Sequence, residues 1–228
     1  MFSIFKKLKK KKNNIFLIIN YMLTMLEKTN VNEVYEEIAE HFDVTRLNKW
    51  SWVEDFLNKL KPNSLVLDLG CGNGRNMNHE NIKFIGVDNC ENFVRICNQK
   101  GLDVINCNMT KVNLENEKVD GIICVAVFHH LSTPEHRVEA LKEMKRLVKS
   151  GGKILLSVWS INQPQKSRRK FNSYGNNIVI WNSYGKMFER YYYIFNIDEI
   201  KSLFRMVGLS LLSHEYNCGN EVFTLMRI

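Results

Sequence analysis

A chain of 228 residues and 26.8 kDa is one domain by length, with enough residues to bury a single sizeable core. Its 45% hydrophobic and 25% charged residues are the balance of a soluble globular chain, which excludes a disordered or fibrous class. The net charge of +8 argues only weakly for a polyanion partner: six lysines fall at positions 6–12, before the first acid at Glu27, and the remaining body is close to neutral.

The lysine block and the following IFLIINYMLTML look like the first two regions of a signal peptide. Asn20 and Thr24 interrupt the apolar run, no small-residue cleavage site follows, and the run is shorter than the roughly 20 apolar residues a bilayer span needs. The expectation is a leader over 1–24, either a disordered basic tail or an upstream extension with Met22 or Met25 as the working start. A single domain over 25–228 follows, with no membrane partner. Six cysteines (Cys71, Cys90, Cys97, Cys107, Cys124, Cys218) show no C-x-x-C spacing, so neither a disulfide framework nor a metal site is expected. A reducing compartment fits, the cytoplasm first and the nucleus second.

From Asn32 to Leu60 apolar residues recur at helical spacing, with a break at VTRLNK that predicts two helices, and Pro62 stops the second. SLVLDLG reads as a buried strand, being apolar throughout. NIKFIGVD, DVINCN, VDGIICVAVFHH and GKILLSVWS supply four more. PEHRVEALKEMKRLVKSGG carries one apolar stripe and is expected to stop at Gly151-Gly152. Alternating strands and helices imply an α/β fold: a mostly parallel sheet with helices on both faces. Residues 161–190 break this rhythm and read as a long basic loop. A helix around Ile197–Val207 and the strands LSLLSHEY and EVFTLMR then predict an antiparallel C-terminal hairpin that closes the sheet.

Chemistry concentrates at LVLDLGCGNGR, residues 65–75. Glycine lets a strand-to-helix turn tighten and a ligand touch bare backbone. A dinucleotide site wants G-x-G-x-x-G; here the third glycine comes one residue early, after the acid Asp68. That spacing suits a cationic amino-acid group better than a phosphate. Asp88 ends the second strand, 20 residues on, where an acid accepts hydrogen bonds from a ribose diol.

This constellation resembles the class I S-adenosylmethionine-dependent methyltransferases, whose Rossmann-like sheet carries a C-terminal antiparallel hairpin. The resemblance implies S-adenosyl-L-methionine as cofactor. Asp68, Gly70, Cys71, Gly72, Asn73 and Gly74 would hold its methionine part and Asp88 with Asn89 its ribose. Asn108 and Met109 would flank the adenine, and Val125, at the end of the fourth strand, would complete the set.

Four shorter stretches narrow the acceptor: YEEIAEHFDVTRLNKW, AVFHHLST, SVWS and RYYYIF. Together they resemble the tRNA wobble-uridine methyltransferases over roughly residues 33–228, which implies methyl esterification of 5-carboxymethyluridine in the tRNA anticodon loop. The family commonly has a histidine where this chain has Tyr193, and a near-terminal tryptophan that is absent here. Arg46, His129 or His130, and Arg190 are the candidates to grip the carboxylate, and Trp159 and Tyr191 to stack on the base. The basic run Lys166, Arg168, Arg169 and Lys170 is placed for phosphate contact. The resemblance also implies a small zinc-binding activator protein docking on the open edge of the third strand. A small-molecule methyltransferase of the same fold, and a noncatalytic RNA- or partner-binding subunit, are the alternatives.

Overall fold

A computed structural model describes residues 17–167 and 169–228; the basic leader block at 6–12 and Arg168 lie outside the described residues. Residues 17–27 are helical and run through a π-helical turn, Lys28–Asn32, into helix α1 (Glu33–Thr45). The segment is tied to the domain within the expected leader itself. Ser132 Oγ donates to the Leu23 carbonyl, and the buried Glu27 carboxylate accepts from Ser132 N at 2.9 Å. As the VTRLNK break predicts, α1 ends before helix α2 (Ser51–Leu57). No helix among the described residues is long and apolar enough to cross a membrane.

Strands β1 (Ser64–Leu69), β2 (Ile82–Asp88), β3 (Val104–Asn106), β4 (Val119–Val125) and β5 (Val148–Trp159) pair in parallel. Helix α3 (Glu91–Gln99) links β2 to β3, and helix α4 (Pro134–Leu147) links β4 to β5. Helix α5 (Ile197–Val207) precedes β8 (Leu209–Asn217) and β9 (Asn220–Arg227). The order is β3-β2-β1-β4-β5-β9-β8, with β9 antiparallel to both neighbours, as the C-terminal hairpin was expected to be. Because β1 and β4 sit centrally, they are covered on both faces, which is why SLVLDL and VDGIICV are apolar almost throughout. Leu67, Leu69, Ile122, Cys124 and Leu156 form the larger core with α4 and α5. Val66, Ile123 and Leu155 pack under α2 on the other face.

Two local expectations are corrected. Helix α4 does not run to the glycine pair: it ends at Leu147, Val148 is already extended, and Gly151 takes its φ of +72° inside the irregular start of β5. Its start is well signalled, with Thr133 accepting from His136 N and Pro134 in the first turn. The expected loop at 161–190 is only partly a loop. Strands β6 (Gly175–Ser183) and β7 (Lys186–Ile194) form a separate antiparallel hairpin around Tyr184-Gly185, both at positive φ. The hairpin leans on α1 through His41 Nδ1 and Ser183 Oγ at 2.8 Å, His41 stacked on Trp181, and the Lys186–Glu37 ion pair. The carboxyl rim of the sheet, α1 and this hairpin together wall one cavity.

Candidate active site

The cavity of about 1010 Å³ opens above the turn that follows β1. Gly70 has φ +80°, and a Cβ there would lie 2.5 Å from Val127, so only glycine fits. Gly72, at φ +55°, faces open space: a Cβ would meet Phe42 alone, at 3.9 Å. Its N–H donates to Asp88 Oδ2 at 2.8 Å, and Asp88 Oδ1 accepts from Cys90 N at 3.0 Å. The acid therefore fastens the turn to the rim it shares with β2.

Most of the expected cofactor residues line this cavity. Gly70, Cys71, Gly72 and Asn73 form its floor; Asp88 and Asn89 stand on one side, Asn108 and Met109 on another, and Val125 closes the β4 end. Asn89 Nδ2 donates to Asn32 Oδ1 at 3.2 Å, joining β2's end to the π-helical turn. Asn108 Oδ1 is spent on Thr110 N and Oγ1, both at 2.9 Å, which caps its own turn and leaves the amide N–H₂ for a ligand. Gly74 and Asp68 do not line the cavity, contrary to expectation. A Cβ on Gly74 would lie 2.3 Å from Leu102, so that glycine is bare to let the turn pack on the protein. Asp68 lies fully buried beneath the turn.

The charge pattern shows what the cradle fits. Neither carboxylate oxygen of Asp68 has a partner of full hydrogen-bond geometry among the described residues, and burial, reinforced by the charge of Asp88 and opposed by Arg75 and Asn76, pushes its pKa up to about 7. Burial also raises Asp88, to about 6, against the backbone N–H groups of Cys90, Gly72 and Asn89 that stabilise its charge. Arg75 lines the cavity beside them, its pKa lowered by burial and by the neighbouring Arg46. An unmatched negative group under the bare turn and a guanidinium beside it complement a zwitterionic amino-acid group.

The same cavity also holds Arg46, His130, Trp159 and Arg190, brought together from the end of α1, the turn after β4, β5 and β7. Arg46 follows the last residue of α1, exposed, with its guanidinium 5.7 Å from the Phe42 ring. Arg190 is buried: its Nε has no partner, and the Trp181 and Tyr192 rings lie 5.0 and 5.4 Å from its charge. Among the described residues no carboxylate pairs with it.

Three of the acceptor-side expectations are corrected. His129 is fully buried and does not line the cavity; its Nδ1 accepts from Trp159 N at 3.0 Å, so it is a structural ligand of β5. His130 lines the cavity but has no proton to offer. Its Nδ1 donates to the Tyr191 carbonyl at 2.8 Å, and its Nε2 therefore accepts from Tyr35 Oη at 3.1 Å. Burial holds its pKa down at about 3, so the ring is neutral and cannot grip a carboxylate. Tyr191 faces away, its hydroxyl donating to Asn176 at 2.7 Å, because neighbours on a strand point to opposite faces. Tyr192 and Arg190 share the inward face, and Tyr192 stacks on Trp159 at 4.0 Å. Arg169 lies 4.2 Å over the same indole, so a base could stack on Trp159 only by displacing that guanidinium. Tyr35, Arg75, Trp181 and Tyr192 line the cavity and were not singled out by the sequence.

Comparison with known proteins agrees with this geometry. Residues 67–156 match the family described as a methyltransferase domain. The tRNA (carboxymethyluridine(34)-5-O)-methyltransferase of Schizosaccharomyces pombe is 32% identical over 217 residues, covering 85% of this chain and 94% of that protein. The mouse tRNA (carboxymethyluridine(34)-5-O)-methyltransferase ALKBH8 is 39% identical over 145 residues, 63% of this chain. The match spans only 22% of the mouse protein's length. Among solved structures, a SAM-dependent methyltransferase from Methanosarcina mazei superposes with a TM-score of 0.65 at 15% identity, covering 80% of this chain and 99% of that one. The [4+2]-cyclase SpnF also scores 0.65, at 12% identity over 87% of this chain and 96% of its own, so the fold alone names no reaction. The near-complete coverage of the fission-yeast enzyme decides the matter: the chain belongs to the tRNA (carboxymethyluridine(34)-5-O)-methyltransferase family.

Proposed function

We propose that the protein methylates the carboxylate of 5-carboxymethyluridine at the tRNA wobble position, with S-adenosylmethionine as methyl donor. The observation that carries this reading is the buried Arg190, which has no carboxylate partner among the described residues and stands in the same cavity as the glycine cradle. An isolated buried cation is costly, and it becomes favourable when an anion completes it. When bound, the cofactor supplies a methyl group on a cationic sulfur. Asp68 and Arg75 match its ammonium and carboxylate, and the bare Gly72 leaves room for it.

The protein's own work is positioning. A carboxylate has a pKa near 4, so it is already ionised and nucleophilic at neutral pH and needs no base. The cavity accords with that: the only lone pair of His130 is engaged by Tyr35, and its low pKa makes it a poor proton acceptor. Arg190, with Arg46 at the rim, would hold one carboxylate oxygen and leave the other free. Arg169 stands near the mouth for a backbone phosphate. The finer partnership, a small zinc-binding activator, is supported by the position of β3 at the sheet edge, where Val104 and Ile105 are half-exposed.

The test is incubation of the protein, co-expressed with the activator, with isotopically labelled S-adenosylmethionine and tRNA carrying carboxymethyluridine. An alkali-labile methyl ester in the wobble nucleoside is expected. Turnover on a small carboxylic acid that tRNA does not inhibit would replace this reading with a small-molecule methyltransferase.

Binding of the donor side has its own pH signature. In the free protein Asp68 sits at about 7, well above the ordinary carboxylate range, so the folded state loses stability as pH rises from about 4 through 7. A ligand ammonium favours the ionised form, so binding releases a proton and tightens over the same range. S-adenosylhomocysteine affinity should rise roughly tenfold from pH 6 to pH 8, as the ionised fraction of such a group does. Calorimetry should find Asp68→Asn weaker and nearly flat across that range.

A further inference from the structure

We propose that Asn73 is a positioning residue that aims Arg46 from within the cofactor turn. The inference rests on the reading of Arg46 as a residue that grips the anionic acceptor. Asn73 was expected only to touch cofactor, but its side chain is turned to α1. Its Nδ2 donates to the Arg46 carbonyl and to Asp43 Oδ1, both at 2.9 Å, and the residue is 3% exposed. The assembly is fixed from a third side by Lys100, at the end of α3. Its Nζ donates to the Asn73 carbonyl at 3.1 Å and to Asp43 Oδ1 at 2.5 Å.

Arg46 needs such an anchor. It has left the helix, with φ −127° and ψ 71°, and its exposed side chain makes one hydrogen bond, to its neighbour's carbonyl at Thr45. Among the described residues, Asn73 alone hydrogen-bonds the Arg46 carbonyl from another part of the fold. A long, solvated guanidinium is aimed by where its backbone is held, and loosening that backbone spreads it over many positions. The amide is suited to the task because its two N–H groups reach one carboxylate and one carbonyl together. Alanine would leave that part-buried carbonyl without its donor.

The test uses the protein with its activator and carboxymethyluridine-bearing tRNA, with kinetics on Asn73→Ala, Arg46→Ala and the double variant. Asn73→Ala should raise KM for tRNA roughly five- to tenfold, the factor of about one lost hydrogen bond, and by more than it weakens S-adenosylhomocysteine binding. If Asn73 works through Arg46, the double variant should be no worse than Arg46→Ala alone. Multiplying effects would overturn the proposal, and so would weaker S-adenosylhomocysteine binding with KM for tRNA unchanged, which would make Asn73 a prop of the turn only. Asp43→Ala keeps the Asn73–Arg46 bond and should leave KM within about twofold; a rise equal to that of Asn73→Ala would also count against it. Should alanine at 73 unfold the chain, Asn73→Ser carries the same prediction. If Arg46→Ala leaves KM unaltered, the proposal falls with its premise; if wild type makes no methyl ester, the proposed reaction is what has failed.

Discussion

Gly72→Leu is expected to give a folded protein whose S-adenosylhomocysteine affinity has fallen roughly a hundredfold, the equivalent of about 2.8 kcal/mol of overpacking. The two halves of that expectation come from one measurement on the backbone. A Cβ at Gly72 meets nothing closer than Phe42 at 3.9 Å, so the side chain has space, and the space is the cavity itself. The φ of +55° costs a leucine about 1–2 kcal/mol, a loss of only a few degrees in Tm for a chain this size. Gly72 N keeps its bond to Asp88, since the substitution leaves the main chain in place. Gly70→Ala is the contrast: its Cβ would lie 2.5 Å from Val127, so stability and binding should fall together. Thermal melts beside calorimetry separate the two. A Gly72→Leu protein that binds S-adenosylhomocysteine normally would show that the ligand does not rest on this turn.

The turn was legible because its demands fall on the backbone, and backbone demands select residue types. Positive φ at residues 70, 72 and 74 leaves a row of glycines, and an acid at the end of β2 leaves Asp88. Even there the pattern overstated contact: Gly74 is bare for Leu102, and Asp68 works from beneath the floor. The acceptor end was harder, because its residues are assigned by orientation. RYYYIF holds three successive tyrosines, and nothing in the string says which faces inward until β7 has a register against β6. That register was hidden by the turn: two-residue hairpins favour Asn-Gly, whereas here Tyr184 takes the positive φ ahead of Gly185. The adjacent histidines differ in a way composition does not record. One accepts a hydrogen bond from β5's backbone and the other donates one to β7's.

Arg190→Ala should lower kcat/KM for carboxymethyluridine tRNA roughly a hundredfold, the loss of a hydrogen bond between charged partners at a buried arginine. The same substitution should leave Tm unchanged or raise it by a few degrees. Arg190 is 7% exposed and its Nε is unpartnered; no carboxylate pairs with it among the described residues, and its neighbours are the Tyr35 hydroxyl and two aromatic rings at 5.0 and 5.4 Å. Cation–π attraction of this kind contributes about 0.5–2 kcal/mol, less than the several kcal/mol that burying an unpaired charge costs. Without its anion, then, the residue is a burden on the fold that binding relieves. Arg190→Lys should not rescue activity, because a point charge on a flexible stem lacks the planar fork that holds one oxygen and leaves its twin free. Methylation also removes the negative charge that Arg190 holds, so the site should release the neutral ester more readily than it takes up the acid. Methyl-ester tRNA should accordingly bind the wild-type protein more weakly than carboxymethyl tRNA, and the two should bind Arg190→Ala alike. If Arg190→Ala loses stability and keeps its preference for the acid, the arginine is a strut of the hairpin, and the anion must be held by Arg46 or Arg169.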